Sequence, residues 1–318
     1  MHTIAAPWMW GAFIAFVLAM LLLDIFACGG NKAIRMSPKQ AAFWTCVWIS
    51  LALLFAFGMH TYLSHTADAG FAQAKTTEFL AGYIIEKSLS IDNIFVFLLI
   101  FKHFSVPIAY QRKVLMYGVV GAIVMRIAMI LGGVWVVEQF SWMLYLFGLF
   151  LVVTGIKMMM SADAEPDLST NRVVRYAKQL LPFSADFHGE KFRVVENGKT
   201  LFTPLLLVLI MIEVSDVVFA VDSIPAIFAV TTDPFIVFTS NIFAIMGLRA
   251  LYFLLADMAE RFHFLKYGLA LVLMFVGVKM LLADWLHLPT MVSLLIIGVI
   301  VLGSVLLSLL VTKSNKTT

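Results

Sequence analysis

The sequence predicts an all-α polytopic membrane protein with about nine transmembrane helices. Of its 318 residues, 62% are hydrophobic and 13% are charged, and the mean hydropathy is +0.98, outside the range of soluble domains. The apolar residues fall into runs that are each long enough to cross a bilayer. The two cysteines, Cys28 and Cys46, are too few for a disulfide framework and have no metal-type spacing.

Nine apolar runs predict the helices in order. Their approximate bounds are 8–28, 40–63, 77–101, 114–137, 142–161, 203–228, 235–256, 265–283 and 289–311. We divide the chain into two leading transmembrane helices (1–75), a first three-helix unit (76–161), a cytoplasmic loop (162–202), a second three-helix unit (203–286), and a last transmembrane helix with a cytoplasmic tail (287–318).

Basic residues between the runs predict the orientation. The connections 29–39, 102–113, 157–202 and 257–266 and the C-terminal tail hold the Lys and Arg residues of the loops, whereas the opposite connections hold only Lys75. By the positive-inside rule, the N-terminus lies outside and the C-terminus lies in the cytoplasm. The loop 162–202 should contain an amphipathic basic helix, RVVRYAKQLL, and a hairpin that turns at Asn197-Gly198.

An internal repeat relates the two three-helix units. The segments EKSLSIDNI (86–94) and DVVFAVDSI (216–224) both read acid, five residues, Asp, small polar residue, Ile. Two further matches follow in the same order, AIVMR with AIMGLR and TGIKMM with VGVKML. Because each unit crosses the membrane three times, the second unit enters from the opposite side, which predicts an inverted-topology repeat.

Charged side chains at membrane depth predict a cation site. An ionised Asp at the centre of a spanning helix costs about 2.5–3.5 kcal/mol on insertion scales. The acids are Asp24, Glu86, Asp92, Glu213, Asp216 and Asp222, and the bases are Lys87, Arg126 and Arg249, which leaves an excess of acid. Bound cations, protons, or an alternation of the two would neutralise it, whereas ion pairs between helices are the alternative for Arg126, Arg249 and Asp24.

The sixth run concentrates three of these acids. Glu213 and Asp216 share a helical face. Asp222 lies about 9 Å from Asp216 along the helix axis and is rotated by about 120° from it around that axis. Pro225 has no N–H for the Val221 carbonyl, so we expect the helix to kink or open at Asp222. An opened helix would offer carbonyl oxygens beside the carboxylates.

The available ligands favour a hard cation. No His or Cys accompanies the acidic motifs, which argues against Zn²⁺ or Cu⁺. Carboxylates with Asn93, Ser90, Ser223 and freed carbonyls form an all-oxygen site that suits Mn²⁺, Mg²⁺ or Ca²⁺. The residue types alone do not separate these three ions.

Three segments resemble the signatures of the TerC family of integral membrane proteins, most closely its Alx branch. They are EKSLSIDN, EVSDVVFAVDSIPAIFAVTTDPFIVFTSN and IFAIMGLRALYFLLA. The resemblance implies a nine-helix inner-membrane protein of Gram-negative bacteria that exports Mn²⁺, with tellurite resistance as the older family label. It places the metal-binding residues at Glu86, Asp92, Asn93, Glu213, Asp216, Asp222 and Ser223. We expect supporting roles for Asp24, Lys87, Ser90, Arg126, Pro225, Asn241 and Arg249.

The leading hypothesis is a secondary transporter, not an enzyme, that exports Mn²⁺ by alternating access of the two repeats, with proton exchange as the expected coupling. Its expected partners are membrane lipid and the divalent ion, with no nucleic acid and no tightly bound cofactor. A scaffold that supplies metal to partner proteins through the loop 162–202 is one alternative. A membrane metalloenzyme is another, opposed by the absence of HExxH and GxSxG and of any His near the acids.

Overall fold

In a computed structural model the chain forms a bundle of long helices. The structure describes residues 3–27, 37–140, 142–160, 172–196, 198–256, 264–283, 285 and 288–314. The elements before the loop are α1 (Pro7–Ala27), α2 (Pro38–Thr66), α3 (Ala69–His103), α4 (Ile108–Gln139) and α5 (Met143–Met160). Those of the loop and beyond are α6 (Arg172–Leu180), β1 (Arg193–Glu196), β2 (Lys199–Phe202), α7 (Pro204–Phe228), α8 (Pro234–Ile245), α9 (Leu248–Ala256), α10 (Leu265–Leu281) and α11 (Thr290–Ser314).

The predicted all-α polytopic membrane class is confirmed. Among the described residues, six helical stretches are long and apolar enough to cross a membrane. They are Pro38–Thr66, Ile108–Val137, Met143–Met160, Pro204–Phe228, Pro234–Ala256 and Thr290–Ser308, with Pro7–Leu22 as a shorter apolar helix. The charged α3 and the 17-residue α10 lie outside this set, so the count of nine spans stays a prediction.

Side-chain caps define where several helices begin. Ser37 accepts a hydrogen bond from the Gln40 backbone N–H while the Gln40 side chain bonds back to the Ser37 N–H, and this capping box starts α2. Asp68 caps the first turn of α3, and Asp233 caps α8 just before Pro234. These polar caps satisfy N–H groups that the first helical turn leaves without partners.

The span predicted as one helix over 235–256 is two helices, α8 and α9, and this corrects the prediction. The helix breaks at Met246-Gly247, where Gly247 has φ +85°, a conformation that favours glycine. A Cβ at Gly247 would lie 2.6 Å from the Trp48 ring, so glycine also lets α2 approach. AIMGLR has one residue more than its repeat counterpart AIVMR in α4, which is unbroken, and the break accommodates that extra residue.

The opening of the sixth run expected at Asp222 is also wrong, whereas a kink there stays a prediction. Helix α7 is uninterrupted from Pro204 to Phe228, with Pro225 inside it. Pro225 stands in the last turn, so its missing N–H removes one bond, the one to the Val221 carbonyl, close to where the helix ends anyway. The helix therefore ends soon after Pro225 instead of opening at the acids.

The loop between α5 and α7 contains both elements expected in it. Helix α6 packs Val173 and Val174 against the main core and buries Ala177. Strands β1 and β2 pair antiparallel, with Glu196 opposite Lys199, and Gly198 has φ +72° in the turn. The side chain of Asn197 lies outside the described residues.

Packing around α3 and α7 creates the interior in which the charged residues lie. Helix α3 contacts α2, α7, α8 and α11, while α4 packs against both α7 and α8, and α5 packs along α10. Four helices, α3, α4, α7 and α8, therefore surround one interior volume. Each of them contributes a charged or amide side chain to it.

Candidate functional site

Arg126 is the centre of a buried polar network in the bundle. Its side chain on α4 is 1% exposed, and its Nη1 donates to Glu86 Oε1 on α3, forming an ion pair. The same nitrogen lies 3.1 Å from Ser223 Oγ on α7 and 3.1 Å from Asn241 Oδ1 on α8. One guanidinium thus joins four helices, because its fixed fork of donors reaches acceptors in several directions.

Asp216 on α7 is the second acid bound to Arg126. Its Oδ2 lies 3.5 Å from Arg126 Nε, and its Oδ1 lies 3.5 Å from Arg126 Nη2. Asn93 Nδ2 on α3 donates to Asp216 Oδ1 at 3.4 Å. Asn241 in turn donates from Nδ2 to Glu86 Oε2 at 3.3 Å. Both carboxylates are buried, so the ion pairs and the amides compensate for their lost hydration.

A small cavity borders this network. Its volume is about 40 Å³, and Glu86, Asn93, Arg126 and Ser223 supply its polar wall. The apolar part of the wall is Leu89, Met158, Phe219 and Leu273. Asn93 is 2% exposed, and its Oδ1 accepts no hydrogen bond from the residues that the structure describes. A buried amide oxygen in that condition is open to a water molecule or a cation.

Glu213 lies apart from the network, against helix α4. A Cβ at Gly121 would lie 2.0 Å from Glu213 Oε1, so the carboxylate rests directly on the α4 backbone at that glycine. Glu213 is half-buried and one turn from Asp216 on α7. The structure thus places Glu213 at the edge of the site and Asp216 within it.

Lys87 binds a backbone carbonyl near the break between α8 and α9. Its Nζ donates to the Ala244 carbonyl at 3.1 Å. In an unbroken helix that carbonyl would accept from the Leu248 N–H, and the break at Gly247 removes this partner. Ser90 has a local role too, because its Oγ donates to the Glu86 backbone carbonyl at 2.7 Å. Neither side chain donates to the acids in the hydrogen bonds that the described residues make.

Arg249 is buried on α9, beside Asp216. The two side chains line one narrow cavity together with apolar residues that include Phe97 and Ile212. The side chains of Asp24, Asp92 and Asp222 lie outside the described residues, although their backbones are in α1, α3 and α7. In the part of the chain that is described, no three His, Cys, Asp or Glu side chains form a group that could hold a metal ion.

Sequence reasoning found most members of the network but missed how they connect. Glu86, Asn93, Asp216, Ser223, Arg126 and Asn241 come together, with Pro225 one short segment beyond in α7. The break at Gly247 and the role of Lys87 were missed. Their signal was the single extra residue in AIMGLR, which a continuous helix cannot absorb without rotating every later side chain.

The fold and the site together define a multi-pass membrane protein with a buried, charged centre built from side chains of α3, α4, α7 and α8. The family model "Integral membrane protein TerC family" matches residues 71–316, and the chain belongs to this family. The resemblance read from the motifs is thereby confirmed.

Relatives of similar length are similar to this chain over nearly its whole length. A protein of Photorhabdus laumondii named "Putative membrane-bound redox modulator Alx" is 49% identical over 317 residues, covering 100% of this chain and 99% of that protein. The Escherichia coli K12 protein of the same name is 51% identical over 303 residues, which are 95% of this chain and 94% of the relative. An "Uncharacterized membrane protein STKORF319" of Myxococcus xanthus is 44% identical over 315 residues, covering 99% and 96% of the two chains. No solved structure matches the chain.

Proposed function

We propose that this protein is a divalent cation transporter that exports Mn²⁺ from the cytoplasm across the bacterial inner membrane. One observation carries the proposal: Glu86 and Asp216, the first acids of the two repeated motifs, both contact Arg126 in the interior of the helix bundle, and Glu86 and Arg126 line a cavity there. Acids in that position are costly and mark ion pathways in membrane proteins. Because they come from two repeated units, relative movement of the units would change which side they face.

The donor chemistry supports a hard cation as the substrate. Around the cavity the described polar groups are carboxylate, amide and hydroxyl oxygens and one guanidinium. Oxygen donors suit Mn²⁺, Mg²⁺ and Ca²⁺, and the Asn93 amide oxygen is one that the described network does not use.

Contacts between α5 and α10 support the inverted repeat. Aligning TGIKMM with VGVKML pairs Gly155 with Gly277, and the same alignment pairs Gly148 with Ala270. A Cβ at Gly155 would lie 2.8 Å from the Ala270 carbonyl oxygen, and one at Gly277 would lie 2.6 Å from the Gly148 carbonyl oxygen. Exchanging the two units turns the first contact into the second, as a twofold axis requires.

The side-chain contacts next to these glycines are also interconverted when the two units are exchanged. The Gly155 Cβ would also meet Met274 Cγ at 2.6 Å, and the Gly277 Cβ would meet Val152 Cγ2 at 2.8 Å, where Val152 and Met274 are again repeat partners. Residues early in α5 meet residues late in α10, so the two helices run antiparallel. That is the relation expected of units inserted with opposite topology.

A second pair of contacts lies beside the charged network. The repeat alignment matches Gly82 with Ile212 and Gly118 with Ser240. A Cβ at Gly82 would lie 2.9 Å from Ser240 Oγ, and one at Gly118 would lie 3.3 Å from Ile212 Cγ2. Helix α3 thus approaches α8 as α7 approaches α4, which supports alternating access of two equivalent units around the site.

Metal flux through the purified protein tests the proposal. The protein is reconstituted into liposomes that contain a Mn²⁺-responsive fluorophore, and external Mn²⁺ is added with protein-free liposomes as the control. We expect Mn²⁺ to enter the liposomes. Added Mg²⁺ or Ca²⁺ should slow this entry only if the protein also transports that ion. A scaffold or a metalloenzyme gives no flux above the control, and that result would reject transport.

A further inference from the structure

The two buried acids of the site, Glu86 and Asp216, share one positively charged partner, Arg126. The Arg126 guanidinium contacts Glu86 and Asp216 at the same time and is itself buried. Both acids therefore already have a cationic partner. A divalent ion that uses either carboxylate must meet the positive charge of this side chain in a region of low dielectric constant, where like charges repel strongly.

The contacts that Arg126 makes with Asp216 would allow the guanidinium to move away from this acid. Its distances to Asp216 are 3.5 Å, longer than those of a close charge-assisted hydrogen bond. Its two neutral acceptors, Ser223 Oγ and Asn241 Oδ1, lie 3.1 Å away. The cavity of about 40 Å³ also borders its side chain, so the guanidinium has free volume beside it.

We propose that Arg126 is a tethered cation that competes with the transported metal for the acids of the site. This inference rests on the proposed function. The guanidinium holds Glu86 and Asp216 together, and metal entry displaces it from at least one of them. Arg126 is then a positioning residue that keeps metal binding weak enough for release, in addition to joining the helices.

Mn²⁺ binding to the purified full-length protein and two variants tests the competition. Arg126→Gln removes the charge but keeps a hydrogen-bonding side chain, while Arg126→Lys keeps the charge on a shorter side chain with no bidentate fork. Arg175→Gln, in the exposed part of α6, removes one charge of the same type away from the site and is the matched control. Affinity is measured by Mn²⁺ titration, and melting temperature is measured with and without Mn²⁺.

We expect Arg126→Gln to bind Mn²⁺ about tenfold tighter or more, because a neighbouring positive charge has been removed from a low-dielectric site. Without metal its melting temperature should fall, since two buried acids lose their partner, and Mn²⁺ should raise it more than in the wild type. Arg126→Lys should bind Mn²⁺ with intermediate affinity, and Arg175→Gln should match the wild type.

Two outcomes overturn the inference and can be told apart. If the wild type binds Mn²⁺ and the Arg126 variants bind it equally or more weakly, Arg126 is a structural ion pair or a positioning group without competition. If the wild type itself shows neither binding nor flux, the proposed function fails and the inference fails with it. Should Arg126→Gln not survive purification, Arg126→Met decides, because it also removes the charge from a long side chain and an affinity no tighter than in the wild type would contradict competition.

Discussion

Glu86 and Asp216 lie at matching positions of the two repeated motifs and share the guanidinium of one residue, Arg126. The shared partner means that α3 and α7, which carry the two repeated motifs, are joined through charge by one side chain of α4. Neither acid can change its contacts without affecting the other through that side chain. Changes at this pair should therefore alter both stability and metal binding.

Removing Asp216 from the pair should destabilise the fold strongly. Asp216→Asn leaves Arg126 buried with one acid fewer, and breaking a buried pair of this kind costs about 3–5 kcal/mol. Unfolding in mixed micelles with rising denaturing detergent measures the loss. The control is Lys75→Gln, which breaks the partly exposed pair with Glu78 and should cost about 1 kcal/mol or less. Equal losses for the two variants would mean that Arg126 does not depend on Asp216.

Asp92 and Asp222 remain predicted metal ligands, and alanine at either position should abolish Mn²⁺ export. Each substitution removes a hard oxygen ligand, while insertion becomes easier by about 2.5–3.5 kcal/mol because no ionised Asp enters the membrane. Manganese content of cells grown with excess Mn²⁺ measures export, and the membrane fraction measures insertion. Asp186→Ala, in the exposed loop, is the control. Variants that clear Mn²⁺ as well as the wild type would exclude these residues from the site.

Gly247→Ala should disturb the break between α8 and α9. The added Cβ would lie 2.6 Å from the Trp48 ring, and φ +85° disfavours alanine, so we expect a loss of about 2–4 kcal/mol. Gly132→Ala is the matched control, because a Cβ there meets nothing within 4 Å and the position is helical. Thermal unfolding compares the two variants. A harmless Gly247→Ala would show that the break does not need glycine.

Pro225→Ala distinguishes an opened helix from the uninterrupted α7. Because Pro225 stands in the last turn, the new N–H should donate to the Val221 carbonyl with little effect on the acids. We expect expression at least equal to that of the wild type and an unchanged rise in melting temperature with Mn²⁺. Loss of this metal-induced rise in the variant would restore the opened helix as the correct description of the site.

Proton exchange should accompany Mn²⁺ transport, because carboxylates must lose their protons before they bind a metal. In everted membrane vesicles, Mn²⁺ entry should therefore make the lumen alkaline, which a pH-sensitive dye reports. The control uses vesicles without the protein. Mn²⁺ flux that ignores an imposed pH gradient at zero membrane potential would indicate transport without proton coupling.

The membrane class could be predicted because the chain consists largely of apolar runs long enough to cross a bilayer. Most network members could be predicted because burying an acid in lipid is costly, so each acidic motif stands out from its apolar surroundings. The partner of each acid could not be predicted, because helix rotation decides whether Arg126 reaches α3, α7 or both. Pro225 misled the prediction, since a proline near a helix end costs little. Gly247 was missed because an apolar run does not reveal a local break.

The close approach of α5 and α10 has a mechanical consequence. At Gly155 and Gly277 each glycine faces a backbone carbonyl of the other helix, so the backbones of α5 and α10 approach closely, with the side chains of Met274 and Val152 packed beside the two glycines. Under the proposed alternating access, this crossing would act as a fulcrum: it would stay nearly fixed while one unit rocks against the other, and displacement would grow with distance from it. The largest displacements would then fall at the two membrane surfaces, where an entrance could widen while the glycine contact hardly changes.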